Sequence, residues 1–260
     1  MRIALGIEYK GSGFCGWQSQ ASGCGVQDYV EAALTAFLGE PAAVVCAGRT
    51  DTGVHALAQV LHLDTGIMRD EVSWVRGTNA GLPAAVRIIW AKPVDDAFHA
   101  RFSARSRTYR YLLLNTPVDN ALLQGLAGWF HAPLDAKLMQ QAADMLIGEH
   151  DFSSFRAAEC QAKTPVKTLY EASVFRQREH LMFTFRGNAF LHHMVRNIVG
   201  SLVYVGAGRQ APEEFRDIFA SRDRKRAAPT FAADGLYLSA IEYDDVFALP
   251  SFPARFPLID

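Results

Sequence analysis

Ile3, Leu5, Ile7 and Tyr9 alternate along residues 2–9, the period of a strand. From Val26 the period changes. Val26, Val30, Leu34, Phe37 and Leu38 recur three and four apart, which predicts an amphipathic helix over 26–38, stopped by Gly39 and Pro41. Strands are predicted at about 43–47 and 57–64, at Val86–Trp90 and at 107–114. In the second half Leu138, Ala142, Met145 and Leu146 predict a helix over 135–147, and 168–177 with 180–187 reads as a hairpin. Phe190, Leu191, Met194, Val195, Ile198, Val199 and Leu202 predict a buried helix over 190–202. Pro212 opens a short helix through Phe219, and Leu236–Ile241 is a last strand. Hairpins mixed with helices, without a strict strand–helix–strand rhythm, predict an α+β chain with largely antiparallel sheets flanked by helices.

Length and composition narrow this picture. At about 150 residues per domain, 260 residues make between one and two domains. The expected division is an N-terminal α+β lobe, 1–105, and a C-terminal α+β lobe, 106–260, although composition marks no sharp boundary. Half of the residues are hydrophobic and a fifth charged, ordinary usage that excludes a disordered chain. No apolar run is long enough for a membrane span, and Glu8 arrives too early for a signal peptide. Cys15, Cys24, Cys46 and Cys160 form no CxxC pair and no disulfide rhythm, so they are expected to be reduced thiols of a cytoplasmic protein.

The formal net charge is −1, which argues against a protein that coats nucleic acid by bulk attraction. The sign is uneven, however. Residues 1–100 hold 7 basic and 10 acidic side chains, and the remainder holds 19 and 17. Arg101, Arg105, Arg107 and Arg110 crowd one decade without an acid, and Arg222, Arg224, Lys225 and Arg226 surround Asp223. Such patches hold phosphates even on a neutral protein, or else they are solvated faces.

Candidate chemistry is restricted. No two of the eight His stand at helical ligand spacing and none sits beside a Cys pair, so no metal site is expected. His192 and His193, placed on the predicted helix, point about 100° apart. There is no GxxxxGK[ST] and no GxSxG. The densest segment is Ala47-Gly48-Arg49-Thr50-Asp51-Thr52-Gly53-Val54-His55, a single acid between two strands. Asp51 in this setting reads either as the acid of an Asx turn or as a carboxylate presented for chemistry. Asp-Thr-Gly is also the triplet of aspartic proteases, but the chain holds no second copy, and a neighbouring Arg opposes a shared proton.

The octet Gly48–His55 closely resembles the signature of the TruA family of tRNA pseudouridine synthases. The likeness continues in order along the chain: Gly16-Trp17-Gln18-Ser19-Gln20 with Val26-Gln27; Phe98–Ala104; Arg107-Thr108-Tyr109-Arg110-Tyr111; Asp151–Phe155; Gly187–Asn197; and Asp234–Leu238. Lys10, Thr52, Ala58 and Phe231 depart from the usual residues. The resemblance implies a pseudouridine synthase fold with its cleft between the lobes. It also implies isomerisation of uridine to pseudouridine at positions 38, 39 and 40 of the tRNA anticodon arm, by a homodimer without metal or organic cofactor. Carried over, Asp51 matches the catalytic aspartate on the first lobe, and Tyr109 and Arg196 match the tyrosine and the aspartate-pairing arginine on the second. Arg49 matches a further arginine beside the aspartate, and Leu236 belongs to the substrate wall. Spacing alone turns Arg196 away from the apolar arc of its helix and toward solvent; the resemblance turns it inward. Arg101, Arg105, Arg107, Arg222, Arg224 and Arg226 are then expected to hold phosphates. Two other readings stay open at this stage, a non-catalytic RNA-binding module and an aspartyl hydrolase.

Overall fold

The computed structural model describes residues 1–250 and Phe256; positions 251–255 and 257–260 of the expected second lobe lie outside the described residues. In chain order the elements are β1 (Arg2–Tyr9), α1 (Val26–Leu38), β2 (Val45–Cys46), β3 (His55–Asp64), α2 (Glu71–Gly81), β4 (Val86–Val94), β5 (Ser106–Asn115), β6 (Gly128–Phe130), α3 (Ala136–Asp144), β7 (Gly148–Asp151), β8 (Val166–Gln177), β9 (His180–Gly187), α4 (Met194–Gly206), α5 (Pro212–Ser221) and β10 (Leu236–Glu242). They form two compact units, Met1–Arg107 together with the chain from Tyr237 onward, and Thr108–Leu236. The sequence reading assigns everything from 106 on to one lobe; in the structure the chain returns, and β10 packs in the first unit. The reason is a short parallel ladder, Tyr237 opposite His55 and Leu238 opposite Ala56. It is continued by the Arg105 N–H on the Glu242 carbonyl and the Tyr243 hydroxyl on the Ala100 carbonyl.

The sheet of the first unit runs β4-β1-β3-β10, with β2 along β3. β1 pairs antiparallel on both sides, Leu5 facing Leu61 and Ala91. Its alternating Ile3, Leu5 and Ile7 mark only one of two buried faces. Ala4 on the other face joins Val60, Trp90, Phe98 and Ala100 in a second apolar layer, and the Trp90 indole lies so close to Gly6 that a Cβ there would meet it at 2.0 Å. Small residues thus conceal a buried face that large ones would have announced. α1 ends as expected, with Gly39 at φ 75° and its N–H on the Thr35 carbonyl. α2 has no expected counterpart. It buries only Trp74 and Thr78, too few for a legible period, although Asp70 caps it through the Ser73 N–H at 2.6 Å. Phe37 of α1 meets Trp74 edge-on at 5.4 Å and joins the two helices.

The sheet of the second unit runs β5-β9-β8-β7, with β6 along β5 in parallel. The expected hairpin is β8–β9, closed at Gln177 opposite His180. Around α4 and α5, Phe155 stacks on Phe215 and Phe219 at 5.8 and 5.6 Å. α4 begins at Met194 and not at 190, because His193 takes a left-handed φ of 60°. His192 and His193 therefore precede the helix, and their rings lie 4.0 Å apart instead of diverging around it. Taken together the units are α+β with mostly antiparallel pairing, and among the described residues no helix is long and apolar enough to cross a membrane.

The cysteines require a correction. Cys15 and Cys24 are joined by a disulfide, Cα to Cα 5.4 Å, while Cys46 and Cys160 are free. The loop after β1 folds back on itself, with the Cys15 N–H on the Cys24 carbonyl and the Gln20 side-chain amide on the Cys15 carbonyl. Neither pairing is visible in the spacing of the two residues.

Candidate active site

Asp51 stands in the loop between β2 and β3, half-buried, at the start of a turn in which its carbonyl accepts the Val54 N–H at 3.1 Å. Gly53 supplies the left-handed corner of that turn at φ 82°. The backbone before Asp51 is held at several points. Gln59, fully buried on β3, donates from Nε2 to the Gly48 carbonyl at 2.5 Å and accepts the Gly48 N–H on Oε1 at 3.2 Å. The Trp17 N–H binds the Thr50 carbonyl at 2.9 Å, and the Tyr9 and Thr50 hydroxyls bond at 2.8 Å. On the other side of the turn His55 is buried. It accepts the Gly11 N–H on Nδ1 at 3.0 Å and stacks on Tyr237 at 4.5 Å.

Two glycines of the segment after β1, Gly11 and Gly16, owe their place to this loop. A Cβ on Gly11 would sit 1.9 Å from the Val54 carbonyl oxygen, and one on Gly16 would sit 2.7 Å from that of Thr50. Gly16 also holds φ 90°. The two chain segments thus meet backbone to backbone, which fixes where the Asp51 carboxylate leaves the loop.

Of the expected basic residues of this unit, Arg49 and Arg101 are exposed. Both act electrostatically on Cys46, whose thiol burial pushes up to about 11 against their pull. Arg105 is exposed and paired with Asp244. Arg107 is different. Its Nη2 donates to the Arg101 carbonyl at 2.6 Å and to the Ala47 carbonyl at 3.0 Å, so its fork ties backbone to backbone.

In the second unit, Tyr109 and Tyr111 lie two apart on β5 and share a face. The Tyr109 ring meets Phe190 edge-on at 4.9 Å. Tyr111 meets Phe231 at 5.7 Å and donates its hydroxyl to the Ala232 carbonyl at 3.0 Å. Arg196, in the first turn of α4, is half-buried. Its Nε donates to the Phe231 carbonyl at 2.9 Å, while the Phe231 N–H donates to the Arg196 carbonyl at 3.2 Å. Leu236 is buried and closes a turn on the Ala233 carbonyl at 2.8 Å. Phe231 therefore joins the strand of Tyr109 and Tyr111 to the helix of Arg196, and the segment it heads ends at Leu236.

The 222–226 cluster divides. Arg222, Lys225 and Arg226 are exposed, Arg222 against Asp151 at 3.4 Å. Arg224 turns inward. It donates to the Ala227 and Ala228 carbonyls, to Asn197 Oδ1 at 3.0 Å and to Thr230 Oγ1 at 3.1 Å, and desolvation lowers its pKa. Asn197 is itself fully buried and donates to the Phe155 carbonyl at 2.8 Å. This polar knot holds the 224–231 segment on α4. Sequence reasoning misses Asn197 and Gln59 because each acts on backbone distant in the chain, and Thr50 because its hydroxyl meets Tyr9 on another element; for the first two, a polar residue inside an apolar strand or helix pattern is the available signal.

Comparison with known proteins gives the family of the chain. The family described as tRNA pseudouridine synthase matches residues 6–103 and 142–244. A Thiobacillus denitrificans protein named tRNA pseudouridine synthase A is 57% identical over 257 residues, which is 99% of each chain. A protein of the same name from Methylobacillus flagellatus is 55% identical over 250 residues, 96% of each chain. Another from Paraburkholderia xenovorans is 57% identical over 250 residues, covering 96% of this chain and 93% of that one. With a family match over most of its length and near full-length relatives at this identity, the chain belongs to the tRNA pseudouridine synthase family.

Proposed function

We propose that this enzyme isomerises uridine to pseudouridine in the anticodon arm of tRNA, at positions 38, 39 and 40, with Asp51 as its nucleophile. The reaction breaks the bond from ribose C1′ to uracil N1, turns the base and joins C1′ to C5. The C5 proton is lost and N1 gains one, so no electrons are exchanged with a cofactor. A carboxylate suits the first step, as in covalent glycoside chemistry. Attack on the sugar, attack on the base and loss of a sugar proton all start from the same requirement, an ionised and aimed Asp51. The observation that carries the reading is the way Gln59, Tyr9 and Trp17 hold the Asp51 loop from several sides. Such preorganisation is what a nucleophile needs and a surface turn does not.

Arg196 is assigned to pair with Asp51 and keep it charged. Tyr109 stacks on the target base once it has left its helix and serves the proton transfer at C5. Arg49 acts beside Asp51, and Leu236 forms part of the wall for the base. Arg101, Arg105, Arg222 and Arg226 hold tRNA phosphates. Two copies form the working cytoplasmic dimer. Asp51→Asn is the direct test. It keeps shape and removes the nucleophile, so pseudouridine formation is expected to vanish while tRNA affinity stays within a few-fold. Turnover by this variant refutes the assignment.

A further inference from the structure

Most backbone N–H and C=O groups of the turn Ala100–Ser103 are hydrogen-bonded within the protein. The Ala100 N–H binds His62 Nδ1 at 3.1 Å, and the Ala100 carbonyl takes the Tyr243 hydroxyl at 2.6 Å. The N–H groups of Arg101 and Phe102 share His99 Nδ1 at 3.2 Å each, and the Arg101 carbonyl takes Arg107. The Ser103 N–H closes on the His99 carbonyl, and its hydroxyl accepts the His99 N–H, both at 2.9 Å. Yet this turn presents a phenylalanine outward: Phe102 is 75% exposed. Its ring lies 4.3 Å from that of His99, with the Arg101 guanidinium 5.6 Å from its centre.

A single exposed apolar side chain is ordinary on a surface. Phe102 differs from such cases in three ways. Its own N–H and the backbone of its neighbours are bonded within the protein, its ring lies against the cation Arg101, and its turn is tied to the Asp51 loop. The tie is Arg107, whose Nη2 bridges the Arg101 carbonyl and the carbonyl of Ala47, the residue before Gly48. A rigid aromatic face beside a cation matches a nucleobase with its phosphate. It matches an apolar protein surface poorly, because the Arg101 guanidinium would have to be desolvated with it.

We propose that Phe102 is a stacking platform for an unpaired base of the substrate RNA, with Arg101 over the adjacent phosphate, so that this turn sets the position of the loop relative to Asp51. The proposal rests on the reading of the chain as an enzyme acting on the tRNA anticodon arm. Phe102 is a positioning residue, since it acts through the bound RNA and not on the reacting bond.

Three variants separate stacking from bulk. Phe102→Tyr keeps the ring, Phe102→Leu keeps apolar volume without it, and Phe102→Ala removes both. All three are expected to retain the wild-type melting temperature. With transcribed tRNA, Phe102→Leu and Phe102→Ala should raise KM by about 10- to 100-fold and leave kcat within about two-fold, while Phe102→Tyr restores KM. The salt slope should not change, because no phosphate contact is lost. The second readout is an anticodon-arm hairpin with 2-aminopurine placed at each loop position in turn. One position should be quenched by the wild type and by Phe102→Tyr but not by Phe102→Leu. Wild-type KM and quenching in Phe102→Leu overturn the proposal, and assign the exposed ring to apolar contact or to none. Wild-type protein that makes no pseudouridine, yet quenches one loop position through Phe102, would sink the reaction and leave the platform standing.

Discussion

Gln59 and Gly48 exchange two hydrogen bonds, side-chain amide to backbone, three residues ahead of Asp51. The pair acts as one rung of sheet built from a side chain, and it gives the loop the stiffness of the neighbouring strand. Gln59→Leu preserves volume and leaves both Gly48 groups without their partner. It should destabilise the protein by about 1–3 kcal/mol and lower kcat more than tRNA affinity. Denaturant unfolding with single-turnover kinetics reads both, and a variant that matches wild type in both would show that the amide does not hold the loop.

Tyr109→Phe retains the ring and its edge contact with Phe190. If the hydroxyl moves the C5 proton, kcat should fall by about 10²–10⁴ with affinity little changed. A near-normal rate limits Tyr109 to stacking.

The inward turn of Arg224 separates two effects that one basic cluster would otherwise confuse. Replacing Arg222, Lys225 and Arg226 by Ala should flatten the salt dependence of tRNA binding by about one unit of slope per lost phosphate contact, at unchanged kcat. Arg224→Ala should act on stability instead, because it strips partners from Asn197 and from the Ala227 and Ala228 carbonyls. A triple variant with the wild-type salt slope would identify the exposed cations as a solvated face.

His62 predicts a pH dependence. Burial, helped by Arg2 and His99 and opposed by Asp64, lowers its pKa from 6.5 to about 4. The folded state thus binds this proton less readily than the unfolded chain. Stability from this group is complete above the unfolded value and is lost as pH falls from about 6.5 toward 4, at up to about 1.4 kcal/mol per pH unit. The carboxylates Asp28, Asp64 and Asp151 are held below their usual range, so their own loss of stability joins only at the acid end of this window, below about pH 5. His62→Gln should therefore flatten the slope between about pH 5 and 6.5. Unfolding curves across that range check it, and a slope that survives in the variant assigns it elsewhere.

Much of this was legible in the sequence, for reasons that differ by residue. α1 was legible because Val26, Val30 and Leu34 repeat at helical spacing and Gly39 ends them. The β8–β9 hairpin was legible because its turn separates two alternating runs. α2 was not, since Trp74 and Thr78 alone face inward. The start of α4 was misplaced because Phe190 and Leu191 continue its apolar pattern, and nothing local reports the φ of His193. The Asp51 segment and its neighbouring arginines were readable as a motif. Which arginines are struts was not, because the guanidinium fork of Arg107 or Arg224 fits a carbonyl as well as a phosphate. Only the fold decides which it meets.

The return of the chain to its first unit orders its assembly during synthesis. Thr108–Leu236 is continuous and can close as soon as it leaves the ribosome. The first unit cannot. The end of β3 next to the Asp51 loop keeps an open edge until Tyr237 and Leu238 have been made and lie down beside His55 and Ala56. The loop that carries Asp51 thus gains its last neighbour only when most of the chain has been translated.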